Sequence, residues 1–219
     1  MSRLLFGFED ELPRSPPSAD RSGTIFIGDA RESLKAIASN SIDCCVTSPP
    51  YWGLRDYGIA GQIGAEMQLE DYIRNLTDVF AQVRRVLTPD GSLWLNVGDS
   101  YTSGGRTWRD SDKKNEARGM DYRAPTPHGL KPKDLIGVPW RLAFALQQDG
   151  WYLRSDIIWN KNNGAPESVK DRPSRVHEYI FLLTKSERYF YNHEAMKEPA
   201  VTGSKRSGRS VWTMNTEPF

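Results

Sequence analysis

An α/β fold is predicted by three features of this 219-residue chain. Short apolar runs of strand length alternate with amphipathic stretches of helix length. The clearest of those stretches, residues 69–87, places Tyr72, Ile73, Leu76, Val79, Phe80, Val83 and Leu87 at three- and four-residue spacing, the signature of one apolar helix face. Near the C-terminus, two apolar runs follow one another with no helix between them, as an antiparallel edge hairpin would.

Taken in order, residues 1–22 read as an irregular N-terminal arm, polar and proline-bearing. Residues 24–27 read as a strand, 30–38 as a helix with Leu34 and Ile37 on one face, and 42–46 as the next strand. The long helix follows. Pro89, Asp90 and Gly91 are expected to close it with a turn, and 92–97 reads as a strand. Asp134 is expected to cap a helix through Gln148, ended by Asp149 and Gly150. Residues 152–159 and 177–185 are the two late strands, with 188–191 as a candidate hairpin partner. Residues 199–219 read as a polar, basic tail.

Composition narrows the function classes. A formal net charge of +1 excludes a uniformly basic coat, so attraction to nucleic acid must come from local patches. Residues 100–133 are such a patch: eight Lys/Arg stand against four Asp/Glu, with almost no aliphatic side chains. The segment reads as a mobile loop. Two adjacent cysteines, Cys44 and Cys45, exclude a disulfide framework and fit a reducing cytoplasm. No apolar run approaches a membrane span. The three histidines are scattered without metal-ligand spacing, so no metal is expected.

Thr47-Ser48-Pro49-Pro50-Tyr51-Trp52 is the most informative stretch. It ends an apolar strand with two prolines, each lacking an N–H and fixing its own φ, and Pro50 pushes Pro49 toward an extended conformation. The expected product is a stiff elbow at the carboxyl edge of a sheet, where open α/β folds place ligands. It offers a hydroxyl, carbonyls and an aromatic ring, the parts needed to hold a flat, amine-bearing ring.

Ser48-Pro49-Pro50-Tyr51 resembles the catalytic motif of the amino-group DNA methyltransferases, which reads Asp/Asn/Ser-Pro-Pro-Tyr. Gly28-Asp29 with Leu34 is similar to an upstream element of that family. The stretch 85–99, with Ile157-Ile158-Trp159-Asn160-Lys161 and Arg175-Val176-His177-Glu178-Tyr179, matches later elements in order. The likeness spans roughly residues 23–195. It implies a Rossmann-like methyltransferase sheet with helices on both faces, and a catalytic domain over 23–198. It also implies the β arrangement, in which the Pro-Pro-Tyr half precedes a Phe-x-Gly-x-Gly cofactor half. That second motif stands nowhere in these 219 residues, so the sheet is expected to be incomplete. A homodimer or a complementing partner would supply the rest.

By this resemblance the substrate is double-stranded DNA and the cofactor is S-adenosylmethionine. Ser48 and the Pro49 carbonyl would accept hydrogen bonds from the exocyclic amine of a flipped base, and Tyr51 would stack on it. Trp52 and Asp99 are candidates for the base pocket; Asp29, Thr47 and Ser48 for the cofactor side. Packing beneath the loop for Trp52, an Asx-turn for Asp99 and a helix cap for Asp29 are the alternative readings. Arg106, Arg109, Lys113, Lys114, Arg118 and Arg123 would clamp phosphates. Ser at position 48 favours cytosine N4 over adenine N6. Two other readings stay open: a non-catalytic DNA-binding or assembly subunit, and amino methylation of RNA or of a protein amide.

Overall fold

The computed structural model describes residues 23–103, 119, 123–164, 167–200 and 203–216. The arm at 1–22 lies outside the described residues, as do Arg106, Arg109, Lys113, Lys114 and Arg118 of the basic segment. Both ends of that segment are tied together. Tyr101 bridges to Leu135, Thr102 N–H donates to the Asp134 carbonyl (3.0 Å), and the Thr102 hydroxyl donates to the Lys131 carbonyl (2.8 Å).

The element order is α1 (Ala30–Ser33), a 3-10 turn (Leu34–Ala36), β1 (Ile42–Thr47), α2 (Leu69–Val86), β2 (Leu87–Val97), α3 (Val138–Gln148), β3 (Tyr152–Asn160) and β4 (His177–Thr184). Three short strands follow: β5 (Glu198–Pro199), β6 (Lys205–Arg206) and β7 (Val211–Thr213). The main sheet runs β1-β2-β4-β3-β7, with β1 parallel to β2, β4 antiparallel to both its neighbours and β7 parallel to β3. The late antiparallel pair is thus present, and β4 inserts between β2 and β3.

Period-two alternation divides the sheet into two faces. Leu93, Leu95 and Val97 of β2 and Phe181 and Leu183 of β4 are fully buried, in one cluster with Leu76 and Phe80 of α2 and Leu142 and Leu146 of α3. Each such side chain contributes about 1.5–3 kcal/mol by leaving water. Both long helices therefore cover the same face. On the other, Trp94 stacks on Trp212 of β7 at 5.9 Å, while Val46, the β1 neighbour of Trp94, is 62% exposed. The ends of α2 suit its dipole, with Glu70 and Asp71 in the first turn and Arg84 and Arg85 in the last. Arg85 also donates to the carbonyls of Leu34 (2.8 Å) and Ile37 (3.0 Å), tying the 3-10 turn to α2.

Several boundaries differ from the sequence reading. Residues 24–27 join no sheet among the described residues, and Ile25 and Ile27 are 87% and 96% exposed. A strand needs a ladder partner, and among the described residues β1 pairs with β2 alone. The expected helix over 30–38 is one short α-turn and a 3-10 turn, because Ile37 turns extended. Pro89-Asp90-Gly91 lies within β2 rather than in a separate turn: the ladder jumps from Ile42↔Leu87 to Cys44↔Ser92, and the bulge accommodates the proline. Residues 188–191 form no strand, although the Phe190 N–H donates to the Asp90 carbonyl at 2.9 Å. The 199–219 tail is partly ordered into the sheet through β7. Cys44 and Cys45 are both free thiols, and burial pushes the Cys45 thiol up to about 11.

α3 starts later than expected. Asp134 accepts from the Lys131 N–H instead of capping the helix, and the N-cap is Gly137, left-handed at φ 76°. The capping carboxylate comes from the end of β2. Asp99 Oδ1 accepts from the N–H groups of Ser100 (2.9 Å), Gly137 (2.9 Å) and Val138 (3.0 Å), while Oδ2 stands 3.6 Å from Arg175. The Asp99 side chain is 2% exposed. Asp99→Ala is expected to lower the unfolding free energy by about 3–5 kcal/mol, because it strands the largely covered Arg175 guanidinium and the first donors of α3. Urea denaturation measures this, and a loss below about 1 kcal/mol would show the cap to be dispensable.

Candidate active site

Strand direction gathers the polar side chains at one edge of the sheet. β1, β2 and β3 deliver their carboxyl ends there and antiparallel β4 its amino end, so Ser48, Asn96, Lys161 and Glu178 come together although up to 130 residues apart in sequence. Tyr51 is their junction. Its hydroxyl stands 2.9 Å from Glu178 Oε2 and 3.0 Å from Asn96 Oδ1, the acceptors for its proton, and Ser48 Oγ donates to it at 3.2 Å. Asn96 Nδ2 donates to the Tyr179 carbonyl (3.1 Å), which turns the amide oxygen toward the phenol. Glu178 Oε1 meets Lys161 Nζ at 2.5 Å, and that ammonium also lies 4.3 Å from the centre of the Trp159 ring. Burial first, and the Glu178 charge second, push the Tyr51 hydroxyl far above the ordinary phenol range, so it stays protonated.

The elbow is braced from below. The Tyr72 hydroxyl, on α2, donates to the Pro50 carbonyl at 2.9 Å. Gly98 lies under the Tyr51 ring so closely that an added Cβ would stand 2.5 Å from Tyr51 Cε2, so any larger residue would displace the ring. Glu66 closes the following loop: its carboxylate accepts from Gly64 N–H (2.8 Å) and Asn75 Nδ2 (2.9 Å), and its carbonyl from the Trp52 indole (2.9 Å). Ser48 is exposed, and the Pro49 carbonyl accepts no bond from the described residues. Ser48 thus stands at the surface beside a fixed support, and the neighbouring Pro49 carbonyl is unengaged by the described residues.

Thr47, Ser48, Pro49, Pro50 and Tyr51 sit together at this edge. Trp52 does not offer a base a surface: it is 6% exposed and belongs to the core, so the base-pocket expectation is corrected to packing beneath the loop. Asp99 has its Oδ1 committed to α3 and faces Arg175 with Oδ2, with almost no exposed surface. Asp29 caps α1 through the Arg31 N–H (2.8 Å) and pairs with the Arg31 guanidinium, whose hydrogen bonds hold its carboxyl below the usual range. Lys161, read from sequence as a solvated loop residue, is 17% exposed and ion-paired. Sequence reasoning missed the roles of Asn96, Glu178, Gly98, Tyr72 and Glu66. For Glu178 the available signal was a carboxylate at the mouth of an otherwise apolar strand. Among the described residues no cluster of three or more His, Cys, Asp or Glu could hold a metal, and no helix is long and apolar enough to cross a membrane.

The family model described as DNA methylase, of the N6/N4 type, matches residues 42–218. The type II methyltransferase M.SmaI of Serratia marcescens is 66% identical over 201 residues, 91% of this chain and 69% of the relative. Among solved structures, the PvuII DNA methyltransferase (cytosine-N4-specific) superposes with a TM-score of 0.55 at 16% identity, over 88% of this chain and 57% of that one. A Thermus thermophilus chain solved with S-adenosyl-L-methionine gives 0.51 at 24% identity, over 78% and 56%. The chain thus spans about seven-tenths of that curated relative and under three-fifths of the solved chains. With its proline elbow set at the edge of an α/β sheet, this chain belongs to the N4/N6 DNA methylases, S-adenosylmethionine-dependent enzymes that modify DNA.

Proposed function

We propose that this chain forms the base-receiving part of a site-specific DNA methyltransferase, of the kind that accompanies restriction systems. The methyl group would pass from S-adenosylmethionine to the exocyclic amine of a base flipped out of double-stranded DNA, cytosine N4 in preference to adenine N6. The observation that carries this reading is the exposed Ser48 and the adjoining Pro49 carbonyl, which accepts no bond from the described residues, beside the braced Tyr51 ring. An exocyclic amine is a weak nucleophile because its lone pair is delocalised into the ring. Two acceptors on its N–H groups draw the nitrogen toward tetrahedral geometry and stabilise the charge that develops on it in the transition state. The ring of Tyr51 stacks on the flipped base, worth roughly 1–3 kcal/mol, and the elbow fixes orientation. Serine at position 48 favours cytosine, and the solved PvuII enzyme is described as cytosine-N4-specific.

S-adenosylmethionine, when bound, supplies the electrophilic methyl. This chain's residues fit one wall of its site: Thr47 ends β1 and Ser48 follows it, and Asp29 presents a half-exposed carboxylate for the adenine end. The opposite wall is proposed to come from a complementing segment, or a second copy, that pairs along β1. In support, β1 has one ladder partner among the described residues, and Val46, Ile25 and Ile27 are strongly exposed. The same observations favour, as a second reading, a DNA-binding subunit without catalysis. The catalytic domain is proposed to act in the cytoplasm.

Three outcomes test these readings. Calorimetric titration with S-adenosylmethionine is expected to saturate at micromolar levels once the opposite wall is supplied, by a second copy or by an added complementing segment; no heat in either case, with DNA binding retained, supports the second reading. Tyr51→Ala is expected to abolish methyl transfer to DNA while circular dichroism stays native; loss of the native spectrum would make Tyr51 structural. Replacing Arg106, Arg109, Lys113 and Lys114 with alanine is expected to weaken DNA binding and to flatten the log–log salt slope by about 0.9 for each phosphate no longer neutralised. An unchanged slope would remove that segment from the DNA interface.

A further inference from the structure

Ser48 is an acceptor that carries a proton of its own. A serine hydroxyl donates as readily as it accepts, and an O–H turned toward the amine would oppose the transfer instead of assisting it. The structure gives that proton a fixed destination. Ser48 Oγ donates to Tyr51 Oη, and Tyr51 Oη stands 2.9 Å from Glu178 Oε2. The chain ends on a carboxylate whose other oxygen is held by Lys161. We propose that Glu178 is a positioning residue of the transfer site: acting through Tyr51, it holds the Ser48 proton away from the base, so that Oγ meets the exocyclic amine with lone pairs alone.

This rests on the reading under Proposed function and deepens it. The direction of the chain follows from its members. Glu178 is an acceptor beside a lysine, and the Tyr51 phenol is kept protonated by burial, so the phenol must donate and its lone pairs must receive. Asn96 Oδ1 can only accept as well, since its amide nitrogen is engaged by the Tyr179 carbonyl. Hydrogen bonds in series polarise one another, so a neutral alcohol at position 48 gains some of the acceptor strength of a carboxylate without placing a second charge there. Gly98 adds geometric precision: pressed against its backbone, the ring cannot rock its hydroxyl away from Ser48.

The test uses the full chain with Tyr51→Phe, which keeps the ring and removes the relay, and Glu178→Gln, which keeps the shape and removes the charge. Each is expected to lower kcat by on the order of tenfold to a hundredfold with KM for DNA nearly unchanged. The double variant is expected to be no worse than the poorer single within about threefold, since the residues act as a unit. Fluorescence of 2-aminopurine at the target position is expected to stay at the wild-type level in all three, because the stacking ring remains. A readout free of turnover is the 13Cζ resonance of Tyr51, assigned by its loss in Tyr51→Phe; it is expected to move in Glu178→Gln. An unmoved resonance, or a KM effect with kcat intact, overturns the proposal. If Tyr51→Ala abolishes transfer while Tyr51→Phe and Glu178→Gln turn over like wild type, the proposal falls and the methyltransferase reading stands. A wild-type chain that neither binds nor modifies DNA overturns the reading itself.

Discussion

The packing of the Tyr51 ring on the Gly98 backbone is the constraint on which this edge of the molecule depends. It joins the loop after β1 to the end of β2, two strands already held side by side by a parallel ladder. Because the ring cannot move inward, its hydroxyl falls among Ser48, Asn96 and Glu178. Because Tyr72 holds the Pro50 carbonyl from beneath, the elbow cannot lift. A pair of prolines stiffens the chain locally, but the position of the elbow in space is set by partners on α2, β2 and β4.

The interior and the edge follow different physics. Below the sheet, α2, α3 and the odd positions of β2 form an apolar layer whose burial supplies the driving force. At the edge, ionisable groups stand close together, and each is compensated: Asp99 by three backbone donors and Arg175, Glu178 by Lys161 and a phenol. A carboxylate taken from water is tolerable only with such partners. The two carboxylates therefore do different work. Asp99 anchors a helix to a strand, while Glu178 meets the exposed Ser48 hydroxyl only through the Tyr51 phenol.

Patterns within one element are legible in the sequence, and encounters between elements are not. The α2 stripe, the Thr47–Tyr51 elbow and the late antiparallel pair can be read because periodicity and proline chemistry are local. The strand expected at 24–27 fails because a β-like composition says nothing about a ladder partner. The turn expected at Pro89 fails because a bulge uses the same residues as a turn. Asp134 stands where a cap would, before the helix, yet the capping carboxylate is Asp99, 38 residues ahead of Gly137 in the chain. Trp52 follows the elbow directly, and nothing in its spacing says that its indole turns inward to the Glu66 carbonyl. The Glu178 role needs the register of β4 beside β2, which only the assembled sheet defines.

The one-sided pairing of β1 also bears on handling. Among the described residues its outer rim has no ladder partner, and Val46 on it is strongly exposed. An uncovered rim of this kind is a template for self-association. Left without a cover, such a polypeptide would stack rim to rim as its concentration rises, and the solubility of a preparation would become a gauge of whether that rim is capped.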